Sequence, residues 1–455
     1  MDYTVKLAEF CADLSLERLP AEVVRQAKMC LLDFVANVYG SLELEAAGRV
    51  VAYIKSLNGR GPAAALGLGF SLDVNNAAFL NGTMAEAIEA QDGLRFGGNH
   101  PGTAVIPAAL ALAEERGQGG GRVIEAIVCG YEAANRPAAA MHPWHTLSGF
   151  LPTGTCGAFG AAAAAGKILG FNADLMTNAL GAAGYLLPLS MAEQLMGGFT
   201  IKIVQGGAAA VAGLMAAGLA KFGLTGAPYV LEGSALKGGF TQITTKAEPK
   251  LERLAEGLGT HFSIMDLYFK PYTACRHTHG AAQAILELLA EEPIRPDDVE
   301  RVEVKTYGIA ELAVGKSAAP GSSFVSAQFS IPYTAAACLL DGELGPRQLT
   351  EKRMADPRIH ALAAKVKVST DAELNGLYPD KTASQVEIVL ANGAVRKKRV
   401  DTPLGDPRVP LGPEGLTQKL FRFAGDRDRA RVGRVAEMAL NFEKISDISE
   451  FTKMI

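Results

Sequence analysis

At 455 residues, with 44 basic against 48 acidic side chains and a formal charge of −4, the chain exceeds one ordinary hydrophobic core and calls for two or three domains. That balance lacks the basic surplus on which nucleic-acid binding draws. The amino-terminal MDYTVKLAEFCADLS is charged and amphipathic without a signal-peptide apolar run, and the six cysteines form no Cys-x-x-Cys, so free thiols in a reducing, cytoplasmic setting are expected.

In chain order, LPAEVVRQAKMCLLDFVANVYG (19–40) places Val23, Ala27, Cys30, Leu31, Phe34, Val35 and Val38 at helical spacing. Pro20 is set to start that helix and Gly40 to end it. Helices are predicted over 74–90, 106–116, 122–136, 154–169, 174–190 and 203–222, so that the first 265 residues read as helical. Several are dominated by alanine and glycine, as in GTCGAFGAAAAAGKILG (154–170), and small residues let helix backbones approach closely. Two uncharged stretches, Leu175–Ala192 and Ile203–Ala220, are interrupted by Pro188 or too rich in Ala and Gly for a membrane span and read as buried helices; no membrane role is expected.

Beyond about residue 265 the period changes. VERVEVKTYGI (299–309) and KVKVST (365–370) alternate like strands, and VEIVLANGAVRKKRV (386–400) is a hairpin around Asn-Gly. The basic run Arg396–Arg399 falls in that hairpin and reads as a solvated strand, with an anion or partner contact as the lesser alternative. FSIPYTAAACLLDG (329–342) is helical, and the tail from about 412 returns to helix. The fold class is therefore mainly α with an α+β part. A large helical-bundle domain comes from 1–265 and 402–455, and a smaller α+β lid domain is inserted at 266–401.

Three stretches carry candidate chemistry. KPYTACRHTHGAA (270–282) concentrates Lys270, Cys275, Arg276, His277 and His279. As a metal site it is poor: on a strand Cys275 and His279 lie ~13 Å apart, a helix start at Thr278 makes the histidines diverge, and no carboxylate lies nearby. An acid–base reading fits better. Lys270 ends the aromatic run LYFK, Arg276 offers a fork for a carboxylate, and Cys275 or a histidine can pass protons; the plainer alternative is a histidine that caps the helix. EAIEAQDGLRFGGNHPGT (86–103) puts Glu86, Glu89 and Asp92 near a helix C-terminus, where the macrodipole disfavours anions, and brings in His100. In MGGFTIKIVQGG (196–207), Lys202 sits among apolar residues and must pair or meet an anion.

Together LPAEVVRQAKMCLLDFVANVYG, FLNGTMAEAIEAQD with its HPG, GTCGAFGAAAAAGKILG, TIKIVQGGAAA, KPYTACRHTH and FSIPYTAAACLLDG resemble the MmgE/PrpD family, which includes 2-methylcitrate dehydratase, cis-aconitate decarboxylase and iminodisuccinate epimerase. The resemblance implies a homodimer with its site in the cleft between helical domain and lid. It also implies proton chemistry on small di- or tricarboxylates without metal or cofactor. His100, Lys202, Lys270 and Asp92 are the catalytic residues it implies. Cys275 and His279, with Glu89 in the acid-rich region, are the substrate-binding ones, and Arg276 joins them on the strength of its carboxylate-matching fork. Glu86 stands where members carry histidine, Leu151 where several carry histidine, and Gly93 where threonine is common. The expected function is a lyase or isomerase abstracting a proton α to a carboxylate, with dehydration and epimerisation ahead of decarboxylation. The alternative is a non-catalytic polycarboxylate-binding protein, with a metal-dependent hydrolase third.

Overall fold

A computed structural model describes residues 2–455. The architecture is mainly α with an α+β part. Helix Ala21–Ser41 opens directly after Pro20 and buries the whole predicted stripe from Val23 to Val38. Gly40 does not end it. A Cβ there would lie 2.7 Å from the Ile88 side chain, so glycine is needed for packing rather than for a turn.

Helices Val74–Ala87, Gly102–Glu115, Gly120–Met141, Pro152–Ile168, Ala173–Leu186 and Gln205–Lys221 form the bundle. Pro152–Ile168 runs through its centre against four of the others, and Gln205–Lys221 packs on Val74–Ala87. Thr200–Lys221 is long and apolar enough to cross a membrane, yet two-thirds of it is buried inside the fold. Glycines make the tightest contacts. A Cβ on Gly82 would lie 2.5 Å from the Thr103 carbonyl and 2.9 Å from Gly207 Cα. This contact sets the spacing between the helix that carries Glu86 and the one that follows Lys202.

The helical reading of the first 265 residues fails over 222–262. Only short turns such as Phe240–Ile243 and Leu251–Leu254 occur there, because glycines 223, 226, 233, 238 and 239 with Pro228 break helical propagation. The helix at 174–190 also stops early, at Leu186, ahead of Pro188.

Strands β1 (Ala63–Ala65) and β2 (Phe70–Leu72) form a small hairpin. β3 (Gly93–Leu94) pairs antiparallel with β4 (Leu267–Tyr268), Gly93 opposite Tyr268; this contact, invisible to periodicity, ties the bundle to the start of the α+β part. That part holds β5 (Val299–Thr306), β6 (Val366–Thr370), β7 (Ser384–Leu390) and β8 (Val395–Val400) in the order β6-β5-β7-β8. β5 runs parallel to β6 and antiparallel to β7. The β7–β8 turn is the predicted Asn392-Gly393, with Gly393 at φ 82°. The basic run lies on β8 and pairs within the chain, Arg396 with Glu292 and Lys398 with Glu291. Helix His279–Glu291 covers β7 and β8, and Ile331–Asp341 packs on it. Gly412–Phe423 and Arg429–Leu440 return to pack on Ala21–Ser41.

Replacing Gly82 by leucine drives a side chain into the Thr103 and Gly207 backbones. We expect a loss of about 1–3 kcal/mol or more in urea unfolding, and an unchanged midpoint would show that the helix spacing is not set there.

Candidate active site

Helix Val74–Ala87 releases the chain at Ile88, and Glu89 takes φ 55°, a left-handed conformation that a side-chain-bearing residue adopts only under constraint. The turn leaves Glu86 and Glu89 buried together at a helix C-terminus, where neither burial nor the helix dipole favours a carboxylate. Lysines from two distant segments compensate. Lys202 lies in the 3-10 turn Thr200–Val204. Its Nζ donates to Glu86 Oε1 at 2.7 Å and also to Glu89 Oε2. Lys270, just past β4, donates to Glu89 Oε1 at 2.6 Å and to the Glu89 carbonyl at 3.1 Å. Gln205 Nε2 adds a bond to Glu86 Oε1 at 2.7 Å.

His100 completes the cluster, with Nε2 3.9 Å from Glu89 Oε1. Its Nδ1 lies 2.6 Å from the Asp92 carbonyl. A carbonyl only accepts, so Nδ1 carries the proton and Nε2 keeps a lone pair. Its backbone N–H donates to Thr153 Oγ1 at the start of Pro152–Ile168.

The charges settle accordingly. Burial opposes the charge on Glu89, but Lys202 and Lys270 outweigh it and hold the carboxyl well below the usual range. Burial likewise opposes the charge on Lys202, but Glu86 and Glu89 raise its proton affinity above that of an ordinary lysine. Burial, with Lys270 nearby, pushes His100 down to about 3, so its ring is neutral at pH 7. Burial pushes the Cys275 thiol up to about 11, with the Glu89 charge acting in the same direction. A cavity of about 490 Å³ lies alongside, lined by Leu94, Arg95, Asn135, Tyr268 and Arg408 among others. Tyr268 belongs to its wall and also stands edge-on to His100, 6.4 Å between ring centres.

Of the sequence-predicted residues, Glu89, Lys202, Lys270 and His100 thus converge. Asp92 sits behind them: its carboxylate accepts from Tyr131 Oη at 2.5 Å and from the Gly102 N–H at 3.3 Å, and only its carbonyl reaches His100. Arg276 and His279, expected to hold substrate, make their hydrogen bonds outside this cluster. The Arg276 guanidinium donates to the Pro403 and Leu404 carbonyls at 2.7 Å each. His279 Nε2 meets the Ala274 carbonyl at 3.1 Å, while Nδ1 faces Arg276. The turn Arg276–Thr278 directs these hydrogen bonds to backbone rather than to Glu89, while the Arg276 guanidinium lies over the Tyr268 ring, 5.1 Å from its centre. Thr278 occupies the N-cap position without a side-chain cap; its hydroxyl donates to the Cys275 carbonyl.

Residues 5–252 match the MmgE/PrpD N-terminal domain and residues 272–443 the MmgE/PrpD C-terminal domain. The chain belongs to the MmgE/PrpD family. It is 28% identical to a cis-aconitate decarboxylase of Aspergillus terreus over 99% of this chain and 95% of that protein. It is 28% identical to a human cis-aconitate decarboxylase over 83% and 79% of the two chains. To 2-methylcitrate dehydratase of Cupriavidus necator it is 29% identical over 45% and 44%. In this family member the N-terminal match supplies Glu89, His100 and Lys202, and Lys270 lies just before the C-terminal match.

Several site residues escaped the sequence reading. Tyr268 could have been found, since it lies two positions before Lys270 in LYFK, the spacing that puts two side chains on one side of an extended segment. Gln205 follows Lys202 by three, a helical neighbour. The buried pair Asp33–Lys419, 2.6 Å apart, whose ammonium also donates to the Ala90 carbonyl, joins opposite ends of the chain and leaves no local signal.

Burial, together with the Asp33 charge, pushes Asp92 up to about 7. The folded state therefore binds a proton that the unfolded chain releases near pH 4, so stability falls as pH rises from about 4 to 7. In Asp92→Asn that slope should flatten. The variant should gain on the order of a few kcal/mol over the parent at pH 8 relative to pH 4, read from denaturant midpoints across pH; parallel curves would exclude the buried proton.

Proposed function

We propose that this chain is an enzyme, a cofactor-free lyase or isomerase that abstracts a proton α to a carboxylate of a small di- or tricarboxylate. The observation that carries the reading is the convergence of Lys202 and Lys270 on Glu89 beside a neutral His100. The relatives' names, decarboxylase and dehydratase of tricarboxylates, support the substrate class.

Removing a proton α to a carboxylate builds negative charge on that group. The two ammonium groups stabilise the charge in a site already shielded from water. His100 Nε2 is the base, held in its tautomer by the Asp92 carbonyl. Lys270 and Lys202 are among the groups that depress its basicity. Substrate carboxylates that approach those lysines offset their charge and raise His100 toward the neutral range, so binding prepares the base. Cys275, kept as a thiol by burial, is the second group able to return a proton. Return to the opposite face gives epimerisation, loss of a β-hydroxyl gives dehydration, and initial loss of CO₂ gives decarboxylation. Because matches along nearly the whole chain carry the decarboxylase name, that branch stands beside the other two rather than behind them.

The second reading, a non-catalytic polycarboxylate-binding protein, draws support from Lys202 being engaged by two carboxylates. Proton NMR in D₂O separates the two. With citrate, 2-methylcitrate, cis-aconitate, malate, aspartate and iminodisuccinate in turn, at least one carbon-bound proton signal is expected to vanish or a product to appear. His100→Ala should slow that rate by about 10²–10⁴-fold. Folded protein that exchanges no proton while a panel member raises its Tm would leave the binding reading in place.

We also propose a homodimer. Its support is the exposed apolar segment of Tyr185, Leu189, Met196, Phe199 and Ile201, a larger run than monomers usually leave in water. Sedimentation should give twice the 47.7 kDa chain mass, reduced to the single mass in Phe199→Glu. A parent protein that sediments as a monomer at micromolar concentration would refute it.

A further inference from the structure

The charge of the site limits what can enter it. Lys202 and Lys270 bring two positive charges, and Glu86 and Glu89 cancel both. His100, neutral, adds none. Each ammonium donates twice inside the cluster and keeps one N–H for a ligand carboxylate, but no net positive charge is left over to hold a second one, and Glu86, 1% exposed and poorly screened, opposes an anion placed beside it.

A second observation concerns hydrogen bonding. Glu86 Oε1 accepts from both Lys202 and Gln205 at 2.7 Å, whereas Glu86 Oε2 is buried and no protein group donates to it. Folded proteins seldom leave a buried carboxylate oxygen without a donor, because its lost hydration is then uncompensated. The missing donor is chemistry that a ligand can bring.

We propose that Glu86 is a specificity-determining residue, favouring small carboxylates that carry a hydrogen-bond donor, a hydroxyl or an amine, over donor-free anions of equal charge. The inference rests on the carboxylate reading above and narrows it. A donor directed at Glu86 Oε2 satisfies the orphan acceptor, while a donor-free anion leaves it unsatisfied and adds repulsion.

Calorimetric titration of the full chain at pH 7 tests this with two charge-matched pairs: malate against succinate, and citrate against tricarballylate. Aspartate separates an amine from a hydroxyl as the donor. In at least one pair the hydroxyl-bearing ligand, or aspartate against succinate, should bind about tenfold tighter or more, the worth of one hydrogen bond to a buried charge. In Glu86→Gln, whose amide retains an oxygen for Lys202 and Gln205 but presents N–H groups in place of the orphan oxygen, that preference should fall to about twofold or less. Donor-free anions should then bind about tenfold tighter than to the parent. Binding without a donor preference in the parent, or a preference unchanged in Glu86→Gln, overturns the inference and leaves the carboxylate reading standing. Should Glu86→Gln fail to fold, the charge-matched pairs on the parent decide alone. If none of the five ligands binds either protein, the carboxylate reading falls and this inference with it.

Discussion

Two carboxylates at the end of one buried helix would repel each other and the helix dipole, and the site exists because lysines from two other segments hold them. Glu86, Lys202, Glu89 and Lys270 form one chain of alternating charge with almost no exposure. Such a chain is stable only when complete. Removing one member of a buried ion pair typically costs about 3–5 kcal/mol, because the charge left behind has neither water nor partner. The bundle, which supplies Lys202, and the segment opening the α+β part, which supplies Lys270, are thereby fastened through the same carboxylate.

The surrounding structure serves that constraint. Carbonyl oxygens from Ala87 to Asp92 are held from outside the segment. Gln328 donates to Ala87, Lys270 to Glu89, Lys419 to Ala90, and His100 meets Asp92. A loop gripped at so many points can keep Glu89 in a left-handed conformation that its side chain would not choose alone. The β3–β4 pair closes the arrangement, with Tyr268 opposite Gly93. A Cβ at position 93 would lie 2.5 Å from the Tyr268 hydroxyl oxygen and 2.8 Å from His100 Nδ1, so glycine there permits both rings to reach the site.

The same electrostatics shape the chemistry. Burial first, and then the charge of Lys270, holds the imidazole beside this cluster neutral. Arg276, from which a direct carboxylate contact was expected, instead fixes the 403–404 backbone against the turn that carries Cys275. Its guanidinium also lies over the Tyr268 ring, 5.1 Å from the ring centre, at the wall of the cavity.

The sequence by itself determined the helical bundle, the Asn-Gly hairpin, the four-stranded sheet's main strands and the identity of the two lysines, because each is a local matter of period, turn chemistry or a charge among apolar neighbours. Lys202 had to pair, and no reading of TIKIV could miss that need. Which groups it pairs with was decided only by tertiary structure. Glu86 and Glu89 reach it because Gly82 and Gly207 let two helix backbones close to contact distance. Asp33 and Lys419 meet behind the site because the chain's two ends pack together. Arg276 and His279 hydrogen-bond to backbone because a single 3-10 turn directs them there. Side-chain chemistry is written residue by residue, whereas its direction depends on backbone geometry summed over the whole fold.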